Sequence, residues 1–333
     1  MVKINAFLLH LSTNMWFDRV PVEADGWWEN PVQACVPDTH IQWEYLAAKP
    51  HLRFHERTYR DLTAVMKKSG VNMLVIDLGD AVRYQSHPEI AVKKAWSTDK
   101  LRRELTRLRG MGIEPIPKLN LSTRHNVWLG KYRRQVSTPV YDRVIRDLLE
   151  EIIVLFNTPR FFHIGMDEEE LKYFTHYEYA AARQFDLWWH DLLLYVREIE
   201  KRGVRAWVWS DYLWDHEKDF LKRMPKSVVQ SNWYYEKYFS EAQFRELPKN
   251  HPNKKKWQRQ VACYRLLEKA DYDQLPCVSC FSGYNNVPRT HDFCRKNISG
   301  KRLLGFLNAP WAFTLPEFEP YLNRSIEISQ EAF

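Results

Sequence analysis

The sequence predicts a single (β/α)8 TIM barrel, and three observations predict it. Short apolar runs rich in β-formers alternate with amphipathic helical stretches from one end of the chain to the other. Eight such strand runs fit within 333 residues, and a barrel of this kind usually takes about 250 with room for insertions. A doubly wound open sheet would carry a glycine-rich phosphate loop after a strand, and no run here is followed by one. No repeat, low-complexity segment or linker divides the chain, so residues 1–333 read as one domain.

The elements follow in order. Ile4–Leu9 is a first strand. Phe54–Ser69 is a helix with Leu62, Val65 and Met66 on one face, closed by Gly70. Val71–Leu78 is a near-continuous apolar strand of the kind buried on both faces. Ser97 caps a helix to Arg109, with Leu101, Leu105 and Leu108 at helical spacing, and Ile113–Leu119 is the third strand. Thr138 before Pro139 opens a helix to about Phe156. Phe161–Ile164 is the fourth strand and Tyr177–Arg202 a long helix ended by Gly203. Val204–Ser210 and Val228–Tyr234 are the fifth and sixth strands; helical segments at Glu241–Arg245 and Val261–Lys269 lead to a seventh, Pro276–Phe281. Val287–Lys296 is a short helix, Leu303–Asn308 the eighth strand and Pro320–Gln330 a final helix. The main insertion, residues 10–53, carries Trp16, Trp27, Trp28 and Trp43. It follows the first strand, so it emerges on the face where barrels build their sites, as a lid, a binding wall or a cap over the barrel mouth.

Composition narrows the function classes. Hydrophobic content of 45% and charged content of 27% describe a globular chain. Aromatics are enriched, with 14 Trp, 17 Tyr and 17 Phe, which suits either an aromatic core or a sugar-stacking cleft. The net charge of +7 is partly local to the basic run Lys249–Gln260. No nucleic-acid motif accompanies that run, so it reads as a solvated loop and no nucleic-acid partner is expected, although such a run also suits an anionic glycan. No apolar stretch approaches the roughly 18 residues of a membrane span, so no membrane partner is expected. The opening MVKINAFLLHL reads as a strand more readily than as a signal peptide, which makes the cytoplasm the default expectation. The five cysteines cannot all pair with one another. Cys277-x2-Cys280 with His291-x2-Cys294 has zinc-like spacing, but on a strand residues three apart face opposite sides, so no metal and no cofactor is expected.

The chemistry gathers at strand ends. In Arg160–Glu170, RFFHIGMDEEE, an apolar run opens into four carboxylates, Asp167 to Glu170. Glu169 and Glu170 suit the N-terminal turn of a following helix. Asp167 and Glu168 stand at the strand tip, where a barrel places catalytic groups. The other tips offer His10, Asn14 and Trp16; Asp77 and Asp80; Asn120 and His125; Trp209, Asp211 and Trp214; Asn232, Trp233, Tyr234 and Tyr235; Tyr284 and Asn285; and Asn308 and Trp311. Carboxylates and tryptophans around one mouth suit glycoside hydrolysis, in which one acid protonates the leaving oxygen and aromatic faces hold a sugar ring.

His163-Ile164-Gly165-Met166-Asp167-Glu168 resembles the H-x-G-G-D-E motif of glycoside hydrolase family 20, the β-N-acetylhexosaminidases. The resemblance implies a (β/α)8 barrel acting on a carbohydrate by substrate-assisted retaining catalysis. It implies Glu168 as general acid/base and Asp167 as the group that orients the substrate's 2-acetamido function, whose carbonyl oxygen is the nucleophile. Trp209, Trp233 and Trp311 fall near the family's tryptophan cage, Tyr284 where a tyrosine meets the acetamido oxygen, and His125 where the family carries a histidine. Asp211 and Asn308 complete the expected substrate-binding set. Met166 replaces the motif's second glycine, the first strand lacks the family's arginine, and Trp311-Ala312-Phe313 lacks the glutamate of its W-x-E. For a sugar without an acetamido group a second carboxylate is needed, and Asp211, Asp77 and Asp80 are the candidates. Two other classes stay open: a non-catalytic glycan-binding barrel, and a metal-dependent sugar isomerase or epimerase using Asp77, Glu168, Asp211 and His125 as ligands. The sugar, its linkage and the oligomeric state are not set by the sequence.

Overall fold

In a computed structural model, which describes residues 3–20, 45–174 and 177–333, the chain folds as a (β/α)8 barrel. The barrel strands are β1 (Ile4–His10), β2 (Met73–Asp77), β3 (Glu114–Lys118), β4 (Phe161–His163), β5 (Arg205–Trp209), β6 (Val229–Ser231), β7 (Cys277–Val278) and β8 (Gly305–Asn308). All neighbours are parallel, in the order β6-β5-β4-β3-β2-β1-β8-β7. The circle closes between β6 and β7 through two isolated bridges, Gln230 with Gln274 and Trp233 with Cys277. The Cys277 amide donates to Asn232 O at 2.9 Å and the Leu275 amide to Gln230 O at 3.0 Å.

Around the strands lie α1 (Glu56–Lys68), α2 (Thr98–Gly110), α3 (Pro139–Leu155), α4 (Asp186–Glu200), α5 (Tyr212–Asp215), α6 (Glu217–Arg223), α7 (Glu241–Glu246), α8 (Lys254–Lys269), α9 (Asn286–Asn297) and α10 (Glu319–Ala332). Local chemistry sets several of their starts. Ser97 accepts from the Lys100 amide ahead of α2, Thr138 from the Tyr141 amide ahead of α3, and Ser240 with Gln243 forms a full capping box on α7. α4 is shorter than its sequence pattern predicts. It begins at Asp186, not Tyr177, because Phe185 takes φ +50 and breaks the helical path. α8 is longer than expected and starts at Lys254, which places the basic run in its first turn.

Strand alternation divides the core in two. Phe7, Leu9, Leu74 and Phe162 face the helices and join the large outer core. Ile4, Ala6, Leu8, Met73, Val75, Ile116, Phe161, Trp207, Leu275, Cys277 and Leu307 face inward and fill the barrel. Near the strands' C-terminal ends the inward face turns polar. His10, Asp77, Lys118 and His163 are cross-strand partners in register, β1 to β4, and all four are at least 97% buried. Of the insertion, residues 11–20 and 45–53 are described; Trp27, Trp28, Cys35 and Trp43 lie outside the described residues.

Candidate active site

The loop after β4 owes its shape to its neighbours. Gly165 stands at φ +70, and a Cβ there would come within 2.0 Å of Asn120 Oδ1. Glycine therefore lets the amide of Asn120 press against the turn, where its Nδ2 donates to Asp167 Oδ1 at 3.0 Å. Met166 and Glu168 also take positive φ, +72 and +56. A left-handed non-glycine residue costs roughly 1–2 kcal/mol, and such residues cluster at functional sites. The methionine that replaces the motif's second glycine thus keeps a glycine-like backbone.

Two loops are tied together by one buried guanidinium. Arg183 Nη2 donates to Leu121 O at 2.6 Å, Nε to Glu169 Oε2 at 3.0 Å, and Nη1 to Asp191 Oδ2 on α4 at 3.0 Å. Glu169 Oε1 in turn accepts the Thr123 amide at 3.0 Å. Glu169 is therefore not the opening acid of a helix: a single 3-10 turn, Leu171–Phe174, follows it, and α4 begins well beyond. The clamp fixes the loop carrying His125 against the loop carrying Asp167 and Glu168.

His125 Nε2 lies 3.4 Å from Asp167 Oδ2 and 3.4 Å from Glu168 Oε2. Burial works against charge on His125, but Asp167 and Glu168 outweigh it and raise its pKa. Burial likewise works against charge on Asp167, yet His125, Lys118 and the Asn120 amide hold its carboxyl down at about 2. Below them His10 Nδ1 approaches Asp77 Oδ2 at 3.5 Å, and Lys118 bonds the same carboxylate. Desolvation lowers the pKa of His10, and that of His163 much further. Asp80 is held by Ser12 Oγ at 2.6 Å and Asn14 Nδ2 at 2.8 Å.

Asp167, Glu168, His125, Trp209, Trp233 and Trp311 line one cavity of about 240 Å³, together with Met15, Trp16, Leu46, Arg124, Tyr235, Lys256 and Phe281. Trp209 and Trp311 stand 5.7 Å apart between ring centres, Trp233 stacks on Tyr235 at 5.5 Å, and Trp311 Nε1 donates to Tyr235 Oη at 3.0 Å. Asp211 sits behind Glu168, its Oδ2 accepting the Glu168 amide at 2.9 Å, and lines a neighbouring cavity of about 360 Å³. Burial and the charges of Asp167 and Glu168 push its pKa well above the ordinary carboxylate range.

Besides Asp211, two expected residues lie outside the cavity. Tyr284 is 47% exposed and lines a separate hollow with Lys237 and Arg289; the tyrosine in the cavity is Tyr235, which the sequence places at the sixth strand tip. Asn308 faces α10, its Nδ2 donating to Ser325 O at 3.0 Å, because alternation along β8 turns Leu307 into the barrel and residue 308 out of it. Sequence reasoning missed Arg124, Lys256, Lys118 and Arg183. For Lys118 a signal existed, since it shares its strand face with Ile116. For Lys256 and Arg183 none did, because their placement depends on helix packing. Cys277 faces the barrel interior, 3.5 Å from Tyr235 Oη, and no group of three potential metal ligands assembles among the described residues. No helix of the described residues is long and apolar enough to cross a membrane.

No family model matches the sequence, and no curated protein matches it closely. Solved structures do match in fold. The exo-β-N-acetylglucosaminidase of family 20 from Vibrio harveyi, in complex with N-acetylglucosamine, superposes with a TM-score of 0.59 at 12% identity, over 98% of this chain and 54% of that one. The β-N-acetylhexosaminidase from Bacteroides fragilis gives 0.59 at 12% identity, over 98% and 65%. Dispersin B gives 0.54 at 14% identity, over 83% and 94%. The chain spans about half the length of the first of these and nearly all of the last. In fold, this chain is similar to the (β/α)8 barrels of glycoside hydrolase family 20.

Proposed function

We propose that the protein is a glycoside hydrolase that cleaves a β-linked N-acetylhexosamine, with Glu168 as general acid/base and Asp167 as the partner of the substrate's acetamido group. The observation that carries this reading is the contact of His125 Nε2 with both carboxylates inside a tryptophan-lined cavity. A two-carboxylate mechanism needs acids on opposite sides of the scissile bond. Here the two acids that line the cavity grip one imidazole nitrogen, so they stand together. The other candidates for a second carboxylate are engaged: Asp77 by Lys118, Asp80 by Ser12 and Asn14, and Asp211 by the Glu168 amide behind the cavity. A nucleophile supplied by the substrate removes that requirement. Asp167, held ionised, accepts the acetamido N–H and offsets the positive charge that develops on the oxazolinium-like ring. Glu168, reached by His125, gives its proton to the leaving oxygen and takes one back from water. Trp209, Trp233 and Trp311 supply faces for the sugar. The placement of Asp77 in the layer below and of Asp211 behind Glu168 disfavours the isomerase reading, since it takes two of the four donors out of the cavity.

The test is turnover of aryl β-glycosides with and without the 2-acetamido group. Wild type should hydrolyse the acetamido sugars alone, and Glu168→Gln should lower kcat by about 10²–10⁴-fold with the fold intact. Equal turnover of sugars lacking the group would end the substrate-assisted reading. Sugar binding with no turnover in wild type would leave a glycan-binding barrel.

A further inference from the structure

The cavity wall holds a cation that the proposed reaction does not use. Arg124 is spoken for: its Nη1 donates to Trp16 O at 2.9 Å and bonds Tyr177 Oη, and Glu168 and Asp167 are its charged neighbours. His125 serves the acid pair. Lys256 lines the same cavity half-buried, with its ammonium 3.4 Å from Tyr173 Oη and 5.9 Å from the ring centres of Tyr173 and Trp214. Unlike Lys118, Arg133 and Arg183, it forms no ion pair with a carboxylate among the described residues.

Its position runs against helix electrostatics. Lys254, Lys255 and Lys256 occupy the first turn of the 16-residue helix α8, which has no acidic residue in that turn, and the N-cap Asn253 makes no side-chain cap bond. The N-terminus of a helix already carries about half a positive charge and favours anions. Three lysines added there intensify a field that no carboxylate of the turn offsets. Local rules are broken in this way chiefly at functional sites. One member of the run, Lys256, reaches the cavity that holds Asp167 and Glu168.

We propose that Lys256 is a specificity-determining residue that receives an anionic substituent of the glycan, a sulfate ester or a carboxylate. This rests on the reading of the cavity as a glycan site. An ammonium with three donors, one directed at Tyr173, keeps donors for such a group. The test is calorimetric binding of N-acetylglucosamine, its 6-sulfate, and N-acetylmuramic acid, which carries a carboxylate. Wild type should bind at least one of the two anionic sugars roughly tenfold more tightly than the neutral one, an advantage that shrinks as salt rises. The sugar that gains identifies the anion. Lys256→Arg should keep the preference and Lys256→Glu should abolish it. A glutamate in the first turn suits the helix, so the variant's melting temperature checks that it folds. Equal binding of all three sugars, no binding of any, or a preference that survives Lys256→Glu would overturn the proposal. Turnover separates it from the glycosidase reading. Hydrolysis of the neutral aryl sugar without anionic preference defeats only the assignment of Lys256. Anionic preference in binding without hydrolysis of any sugar defeats only the glycosidase.

Discussion

The lower and upper halves of the barrel interior use the same strands for opposite purposes. In the lower half Ile4, Ala6, Leu8, Met73, Val75, Ile116 and Phe161 fill the space with apolar volume. One pleat higher, at the strands' C-terminal ends, the same faces carry His10, Asp77, Lys118 and His163, and above them Asp167 and His125. The lower layer gains free energy from leaving water. The upper layer is desolvated to the same degree and holds together only because each charge has a partner. The difference teaches that burial here measures stability below and electrostatic poise above.

That contrast can be broken in four ways, in order of expected effect. Lys118→Met leaves Asp77 charged and buried without its main partner, so it should cost about 3–5 kcal/mol in urea unfolding. It should also lower kcat in the protein that remains folded, since Lys118 helps keep Asp167 ionised. Leu8→Ala in the lower layer should cost about 2–5 kcal/mol through its cavity yet leave kcat of the folded protein unchanged. If both variants changed kcat alike, the two layers would not be functionally distinct.

A subtler effect concerns pH. The raised pKa of His125 means that its contribution to stability is complete below its unfolded value of about 6.5 and is lost as pH rises through the folded value. His125→Asn should remove that slope, read from unfolding free energies between pH 6 and 9. Smallest is Asp211→Asn. The raised pKa of Asp211 makes its carboxyl a source of instability as pH climbs above the unfolded value of about 3.9. An asparagine still accepts the Glu168 amide, so at pH 7 the variant should match or slightly exceed wild type in melting temperature. Asp211→Ala, which strands that amide, should cost about 1–2 kcal/mol.

The sequence carried the barrel because eight strand runs and most helices rest on local periodicity. Val71–Leu78 brackets β2, and Thr138 with Pro139 marks the start of α3. It carried the acid pair because strand-tip chemistry is also local. What it did not carry depends on three-dimensional placement. Tyr284 and Asn308 were expected in the cavity from their nearness to strand ends. One points into a different hollow, and the other is turned outward by a one-residue phase along β8. Lys256 reads in sequence as part of a solvated loop, and only the early start of α8 brings it to the wall. Arg183 lies in a stretch with a helical pattern that the structure leaves irregular, and it is this irregular path that lets its guanidinium reach two loops.

The join between β6 and β7 has a mechanical consequence. Isolated bridges close the circle there, and Trp233, whose backbone forms one of them, presents its ring to the cavity beside Tyr235. The wall that would clasp a sugar is therefore also the seam at which the barrel closes. A ligand stacked on those rings acts as a rivet across the seam. Deuterium uptake at the Leu275 and Cys277 amides would then run faster than at the β1–β2 ladder in the free protein, and slow selectively when a sugar occupies the cavity.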